Sequence, residues 1–343
     1  GTRFNNAIFR GGNVQSVISI DPFSIERSEV ILGPGSVVYG SDAIGGVMNF
    51  YTKNAKFSFK DGASVSGNFT TRYATASSEK TGHVDLNLGL NEWAFLTSIS
   101  YTDFGDLVMG KYGPDDYLRP EYVATINGED VLVINKDPRK QVSSGYKQIN
   151  AMQKIRFMPS ENWDFNLGFF YTTTSDYPRY DRLIRKKEGQ LRSAVWDYTP
   201  QEWINGNLRI THKGSSLYDK SIFTLSYQNF KEGRRDRDFG DTILYETKEK
   251  VNAYTSALDF IKKFGKSKLF YGLEYVYNKV NSVGKQTNLD DGATSETSPR
   301  YPDDSNWQSM AAYVSLQSKV AANLSLQVGL RYNHILLYAN YDN

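Results

Sequence analysis

The chain has 343 residues, with 40 Lys+Arg against 38 Asp+Glu, and its formal charge of +2 points to neither nucleic acid nor an acidic partner. A mean hydropathy of −0.52 and the lack of any long apolar run exclude a membrane-spanning helix. They do not exclude a transmembrane β-barrel, whose strands meet lipid with every second residue. Cys is absent, so there are no disulfides or thiolate metal sites, and an aromatic share of 14% (24 Tyr, 19 Phe) is heavy for a cytosolic enzyme.

The length suits two ordinary domains or one large β architecture. Gly1-Thr2-Arg3 does not look like a natural start and no signal peptide is present, so the chain reads as a mature or partial segment of something longer. Residues 27–32 form a predicted short strand, broken by Gly33-Pro34-Gly35. Ser36-Val37-Val38-Tyr39 reads as a single helical turn with Ser36 near its N-cap. Gly40 closes that turn, and Gly45-Gly46 permits close backbone packing before residues 47–51 extend again. Such a small mixed fold cannot bury enough surface alone and needs walls around it. Residues 33–40 lack the Gly-Lys-Ser/Thr ending of a phosphate-binding loop, and no nucleophile elbow or HExxH follows. No enzyme chemistry is expected, and no cofactor or metal site.

From residue 62 onward the dominant signal is alternation with period two. In 62–74, Val65, Phe69 and Tyr73 oppose Ser64, Ser66, Asn68, Thr70 and Arg72. In 82–90, Val84, Leu86, Leu88 and Leu90 alternate with Asp85, Asn87 and Gly89. In 92–104, Trp93, Phe95, Ile99 and Tyr101 alternate with Ala94, Ser98, Ser100 and Thr102. In 162–174, Trp163, Phe165, Leu167, Phe169 and Tyr171 oppose Asp164, Asn166, Gly168 and Thr172. Further runs at 146–158, 203–213, 219–231, 250–262, 267–281, 307–319 and 323–338 bring the total to about eleven strands. Short turns near Asn91, 159–161, 264–266 and 321–322 alternate with longer loops at 75–81, 105–145, 175–202, 232–249 and 282–306. Short turns on one rim and long loops on the other mark an outer-membrane barrel. Trp93 to Tyr101 and Trp163 to Tyr171 each span eight residues on one face. At ~3.3 Å per residue and a tilt of about 40°, the paired rings lie roughly 20 Å apart along the membrane normal, the separation expected of two aromatic girdles. Sandwich-core aromatics are the competing reading. The opposite face is polar, so the lumen is wet or filled by something polar.

At the opening stretch a specific resemblance appears. Ile25-Glu26-Arg27, Glu29-Val30, Gly33-Pro34-Gly35-Ser36, Tyr39-Gly40-Ser41, Ala43-Ile44-Gly45-Gly46 and Asn49-Phe50 resemble the end of the plug of TonB-dependent outer-membrane receptors. Gly1–Asn6 and Phe9-Arg10-Gly11-Gly12 are similar to the preceding plug segment. The barrel half matches in pattern only. Leu32 departs from the family, which usually carries a basic residue there, so an ion pair from that position to the barrel is in doubt. The resemblance implies an all-β transmembrane fold, an antiparallel outer-membrane β-barrel of 22 strands around a small α/β plug. This chain would supply residues 1–57 as the C-terminal part of the plug and 58–343 as the N-terminal half of the barrel with its extracellular loops. Alone it would leave two unpaired edges in lipid.

The function implied is TonB-dependent import of a scarce nutrient (ferric siderophore, haem or cobalamin) across the outer membrane of a Gram-negative bacterium. The partners implied are the TonB energy-transducing complex, reached by a segment outside this chain, outer-membrane lipid and lipopolysaccharide, and the small-molecule ligand. Gly33-Pro34-Gly35-Ser36 stands where starch importers carry a Lys-Asp-Ala-Ser-type sequence, which favours the siderophore, haem or cobalamin branch. Two rivals stand beside it. One is a receptor-fold interaction or assembly component without transport. The other is an outer-membrane barrel enzyme, which would need no plug.

Candidate ligand contacts are Asn6, Phe9 and Arg10 near the plug apex and Tyr177, Arg179, Tyr180, Arg182 and Trp196 in loop 175–202. An arginine fork suits carboxylate or catecholate, although Arg10 can equally make a plug-to-barrel ion pair and Asn6 can be a turn residue. The basic loop, which also holds Arg185, Lys186, Lys187 and Arg192, would attract an anionic chelate or lipopolysaccharide phosphate, or would simply be solvated. The run Lys231 to Asp238 alternates in charge sign and reads as a solvated hairpin tip. His83, His212 and His334 read as polar rim or lumen residues rather than ligands.

Overall fold

A computed structural model of the protein describes residues 2–4, 6–8, 14–32, 35–40, 43–58 and 62–341. Phe9, Arg10, Gly33 and Pro34, singled out above, lie outside the described residues. The opening stretch folds as anticipated. β1 (Ile25–Leu32) and β2 (Gly46–Thr52) pair antiparallel, joined through the single turn α1 (Ser36–Tyr39). The N-cap is Gly35, however, and no side chain caps the turn; Ser36 already lies inside it. Gly40 closes it at φ +95°. Gly46 holds φ +153°, and a Cβ there would sit 2.6 Å from the Ile31 carbonyl oxygen, so only glycine lets β2 start beside β1.

Eleven long strands then run in chain order across one antiparallel sheet. They are β3 (Ser64–Ala74), β4 (Glu79–Gly89), β5 (Trp93–Phe104), β6 (Tyr146–Ser160), β7 (Trp163–Thr174), β8 (Ser193–Lys213), β9 (Lys220–Asp238), β10 (Ile243–Phe264), β11 (Ser267–Asn288), β12 (Ser305–Ala321) and β13 (Leu324–Tyr338). Among the described residues the wall is open, with β3 and β13 as its edges. Burial is inverted relative to a water-soluble protein. On β5, Ser98 and Ser100 are 1% and 2% exposed while Ile99 and Tyr101 are 46% and 44% exposed. The same inversion holds on β4, where His83, Asp85 and Asn87 are buried and Val84, Leu86 and Leu88 are exposed. Polar residues turn inward because the plug segment covers them; apolar rows turn outward as a lipid-facing surface requires.

The core is the seam between plug and wall. Ile8 and Phe4 pack with Trp203, Phe230, Val251 and Val280, while Ala55 and Phe57 pack with Ala94, Leu96 and Met152.

Four loop expectations are corrected. Strands β8 to β11 continue well beyond the points where hydropathic alternation ends, so residues 239–242 alone join β9 to β10, and the loops 175–202 and 282–306 shrink to 175–192 and 289–304; β4 likewise starts early, leaving residues 75–78 to join β3 to β4. Above the apolar band both faces of a strand are polar, and pairing continues without a hydropathic trace. The charged run at 231–238 is therefore a strand paired on both sides, not a solvated tip.

Candidate functional site

The plug segment meets the wall through bonds to its backbone, in irregular chain and at the end of a short 3-10 turn (Val14–Ser19). Gln228 Nε2 donates to the Arg3 carbonyl at 2.7 Å, Gln148 Nε2 to Ile18 at 2.6 Å and Thr172 Oγ1 to Ser19 at 2.8 Å. Asn87 takes both sides of Lys56, accepting from its N–H at 2.8 Å and donating to its carbonyl at 2.9 Å. Among the described residues, ion pairs join plug and wall at two points. Arg3 and Arg331 both reach Glu274, at 2.8 and 2.9 Å, and Lys53 reaches Asp85 at 2.8 Å. Leu32, by contrast, is 84% exposed; the ion pairing that its position does not provide comes from Arg3 and Lys53. A Cβ on Gly329 would lie 2.7 Å from Val37, so this glycine lets α1 approach β13.

The other plug-motif residues hold the hairpin together. Arg27 lies 3.9 Å over the Tyr51 ring and pairs with Glu29 at 3.0 Å. Asn49 Nδ2 donates to the Tyr39 hydroxyl at 3.0 Å. Glu26 is exposed on β1. His83 is a lumen residue between Ser100 (2.8 Å) and Asp85 (3.2 Å), stacked on Phe23 of the plug. Among the described residues no cluster of His, Asp and Glu is arranged to hold a metal ion.

Above the plug the luminal wall becomes aromatic and basic. The faces follow from the ladders. Gln228 points inward to Arg3, and β9 pairs with β10 without a register shift, so Phe230, Glu232 and Arg234 also point inward. Tyr198 stands opposite Arg234, and Tyr177 opposite Tyr198. The ring series Phe104–Tyr146–Tyr177–Tyr198 runs at centroid distances of 4.7, 5.5 and 5.1 Å. The Arg179 guanidinium lies 5.2 Å from the Trp196 ring and donates to the Tyr198 hydroxyl at 3.0 Å, with Asp181 at 2.8 Å. Arg182 sits 5.6 Å from Trp196, and Arg234 5.1 Å from Tyr198. Arg234 and Arg300 share Glu232 at 3.4 and 3.3 Å. Burial pushes the Tyr177 hydroxyl far above its ordinary value, and its oxygen has no hydrogen-bond partner among the described residues.

Of the residues singled out by sequence, Tyr177, Arg179, Arg182 and Trp196 thus share one luminal wall. Tyr180 leaves it, turned toward Arg119 of loop 105–145, whose guanidinium lies 4.9 Å from its ring. Asn6 accepts from the Ile8 N–H at 3.0 Å, as a turn residue does. Tyr146, Tyr198, Glu232, Arg234 and Arg300 escaped the sequence reading. One signal was available: Pro200 inside an apparent loop. Proline within a sheet belongs to bulges and edges, and the β8–β9 register shifts between Thr199 and Glu202, which turns Trp196 and Tyr198 inward.

The girdle residues lie on the outer surface. Trp93 stacks on Phe157 at 4.3 Å, and Trp163 contacts Phe165 at 5.7 Å and His212 at 4.3 Å. Rings continue along the short-turn rim through Tyr218, Phe260 and Tyr271. Tyr101 and Tyr171 are exposed eight residues farther along β5 and β7.

Residues 1–47 match the TonB-dependent Receptor Plug Domain and residues 205–343 the Outer membrane protein beta-barrel family. The ferric enterobactin receptor of Pseudomonas aeruginosa is 24% identical over 216 residues, which is 61% of this chain and 26% of that receptor. The vitamin B12 transporter BtuB of Photobacterium profundum is 24% identical over 324 residues, 87% of this chain and 45% of that transporter. The chain thus spans less than half the length of either relative. The solved copper transporter OprC superposes with a TM-score of 0.71 at 14% identity, covering 94% of this chain and 44% of that one. With a plug sequence at one end, a barrel sequence at the other and a polar-lined wall around the plug, the chain belongs to the TonB-dependent receptor family of the outer membrane.

Proposed function

We propose that this chain is the plug-closing and first-wall portion of an energised importer for a scarce nutrient, a ferric siderophore, haem or cobalamin. The plug part runs to residue 57 and the wall from 58. TonB, engaged by a segment outside this chain, would supply the energy that rearranges the plug. Ligand would be received on the luminal wall of Tyr177, Arg179, Arg182 and Trp196, facing the plug apex with Asn6, Phe9 and Arg10; Tyr180 would contribute from the loop side only. The outward rings of Trp93, Trp163, Tyr101 and Tyr171 would mark the two membrane interfaces.

The observation that carries this reading is the plug seam. It consists mainly of separate polar bonds to a wet wall (Gln228, Gln148, Thr172, Asn87) around two small apolar pegs. Each such bond contributes about 1 kcal/mol net, so a pull can break them in sequence while the hydrogen-bonded wall stays intact. The aromatic and guanidinium lining suits an anionic, planar-ringed ligand through cation–π contact and forked hydrogen bonds.

The test is growth of a strain deleted for the full-length gene on single iron or cofactor sources, followed by complementation with Arg179→Ala and Arg234→Ala variants. Loss of growth on one source, with weakened rescue by the variants at equal membrane abundance, is expected. Unimpaired uptake of every source would favour the non-transporting assembly component instead.

A further inference from the structure

Loop 105–145 does not hang free. It folds over the outside of the wall, above the apolar band. Inward residues on β9 have even numbers, so Arg235 and Arg237 point outward, and Asp197 and Val195 stand opposite them on β8. Arg237 is gripped by Asp130 of this loop. Charges so placed cannot face hydrocarbon, which sets the contact at or above the outer membrane surface.

Between the loop and β8 lies a cavity of about 80 Å³, bounded by Arg119, Ser143, Ser193 and Asp197 with Val123 and Leu183. Arg119 is 4% exposed, yet its Nε and Nη1 have no hydrogen-bond partner and it forms no ion pair among the described residues. Its backbone is fixed on both sides, with its N–H donating to Pro138 at 2.7 Å and its carbonyl accepting from Asn135 at 2.8 Å. A buried guanidinium without an anion is costly, and burial presses its ionisation below the ordinary value. The nearby carboxylates are engaged elsewhere. Asp106 accepts from the Ser144 and Gly145 N–H groups at 2.7 and 3.1 Å. Asp197 accepts from Arg235 at 2.9 Å, and burial raises its pKa.

We propose that this cavity binds a phosphate group, with Arg119 as the charged donor and the Ser143 hydroxyl beside it, while the Ser193 hydroxyl at the rim donates to Asp238 at 3.4 Å. The volume exceeds that of two waters at ~30 Å³ each and admits one tetrahedral oxyanion. Asp197 lines the opposite side, where its protonated form donates to the anion and its ionised form opposes it. The site lies outside the barrel wall and is independent of what the lumen transports. The phosphate could be free, or could be the head of an outer-leaflet lipid beside which the cavity lies.

The experiment uses the full-length receptor in detergent, titrated calorimetrically with inorganic phosphate at constant ionic strength, with acetate as control. Saturable phosphate binding is expected. It should weaken on the order of tenfold or more in Arg119→Gln, since a charge-assisted bond is lost, weaken less in Arg119→Lys, and tighten in Asp197→Asn. Hydrogen exchange over residues 105–145 checks that each variant keeps the loop docked. Phosphorus retained after exhaustive detergent exchange by the wild type but not by Arg119→Gln assigns a lipid headgroup; phosphate binding without retained phosphorus assigns the free ion. No saturable binding, equal binding of acetate, or unchanged binding in both Arg119 variants with a docked loop overturns the proposal.

Discussion

Replacing Arg237 by methionine should lift the hairpin formed by Glu121–Ile126 and Glu129–Ile134 off the outer wall. The Asp130 carboxylate accepts from both Arg237 terminal nitrogens at 2.6 Å, from the Gly240 N–H at 2.9 Å and from the Thr125 hydroxyl at 2.7 Å. The side chains are 6% and 1% exposed. Methionine preserves most of the volume but strands a buried carboxylate, at a cost of ~3–5 kcal/mol. The other ion pair holding this hairpin among the described residues, Lys186 to Glu121 at 2.8 Å, is solvent-facing and contributes at most about 1 kcal/mol. The penalty should therefore appear as local undocking, not as unfolding of the wall. Hydrogen-exchange mass spectrometry of the full-length receptor would read it as faster exchange at 121–134, by roughly 10²-fold to a few thousandfold at 1.4 kcal/mol per decade, with β9 and β10 unchanged. Asp130→Asn combined with Arg237→Met should recover part of the loss, because no lone charge remains. Burial alone would raise the Asp130 carboxyl, but Arg237, Gly240 and Thr125 together hold it below the usual range. A depressed carboxyl stabilises above its unfolded pKa of about 3.9 and loses that contribution as pH falls through the folded value. Exchange at 121–134 should thus be flat from pH 8 to 5, after correction for intrinsic rates, and rise only below about pH 4. Unchanged hairpin exchange in Arg237→Met would refute the reasoning.

Three further outcomes are expected. Glu274→Gln removes the carboxylate that Arg3 and Arg331 share, so the plug segment should exchange faster while β11 and β13 do not; equal protection would show that this shared contact is dispensable. Phe4→Ala removes a ring that meets Trp203 and Phe230 edge-on at 5.2 and 5.6 Å, costing about 3 kcal/mol, read as protease sensitivity of the plug in intact outer membranes. Leu225→Arg places a charge on the outward face at about 2–4 kcal/mol and should reduce folded receptor in a vesicle-refolding titration. An unaffected titration would place Leu225 out of lipid.

The wall was legible because lipid and lumen impose opposite chemistries on alternate residues. Val84, Leu86 and Leu88 against Asp85 and Asn87 leave little else for β4 to be. That signal ends where the lipid ends. From Lys231 to Asp238 both faces are polar, so the strand continues with only charge alternation to mark it, and Arg235 and Arg237 find outward partners in Asp176 and Asp130 on loops distant in sequence. The site was half legible for the same reason. Tyr177, Arg179 and Trp196 stood out by composition, but which of them would face the lumen depended on one extra residue at Thr199–Glu202. Tyr180 was lost to the turn Tyr180–Leu183, which carries it toward Arg119. Nothing in periodicity announces a four-residue turn.

The plug and the wall also explain each other's oddities. The opening segment presents to the wall the carbonyls of Arg3 and Lys56 in irregular chain, of Ile18 and Ser19 at the end of a short 3-10 turn, and of Thr52 at the end of β2. The wall carries Gln228, Gln148, Thr172, Lys154 and Asn87 on a face that would be a wet channel if left empty. Buried backbone carbonyls need donors, and buried amides need acceptors; each surface supplies what the other lacks. The buried apolar clusters are two pegs, Phe4 with Ile8 and Ala55 with Phe57, near the two ends of the described opening segment, with the Phe23–His83 stack between them. A seam of this kind fixes the register of the plug at its ends and leaves the middle to exchangeable hydrogen bonds. Water can replace those bonds one at a time as the plug shifts, at little net cost per bond, whereas a continuous apolar seam would have to be exposed all at once.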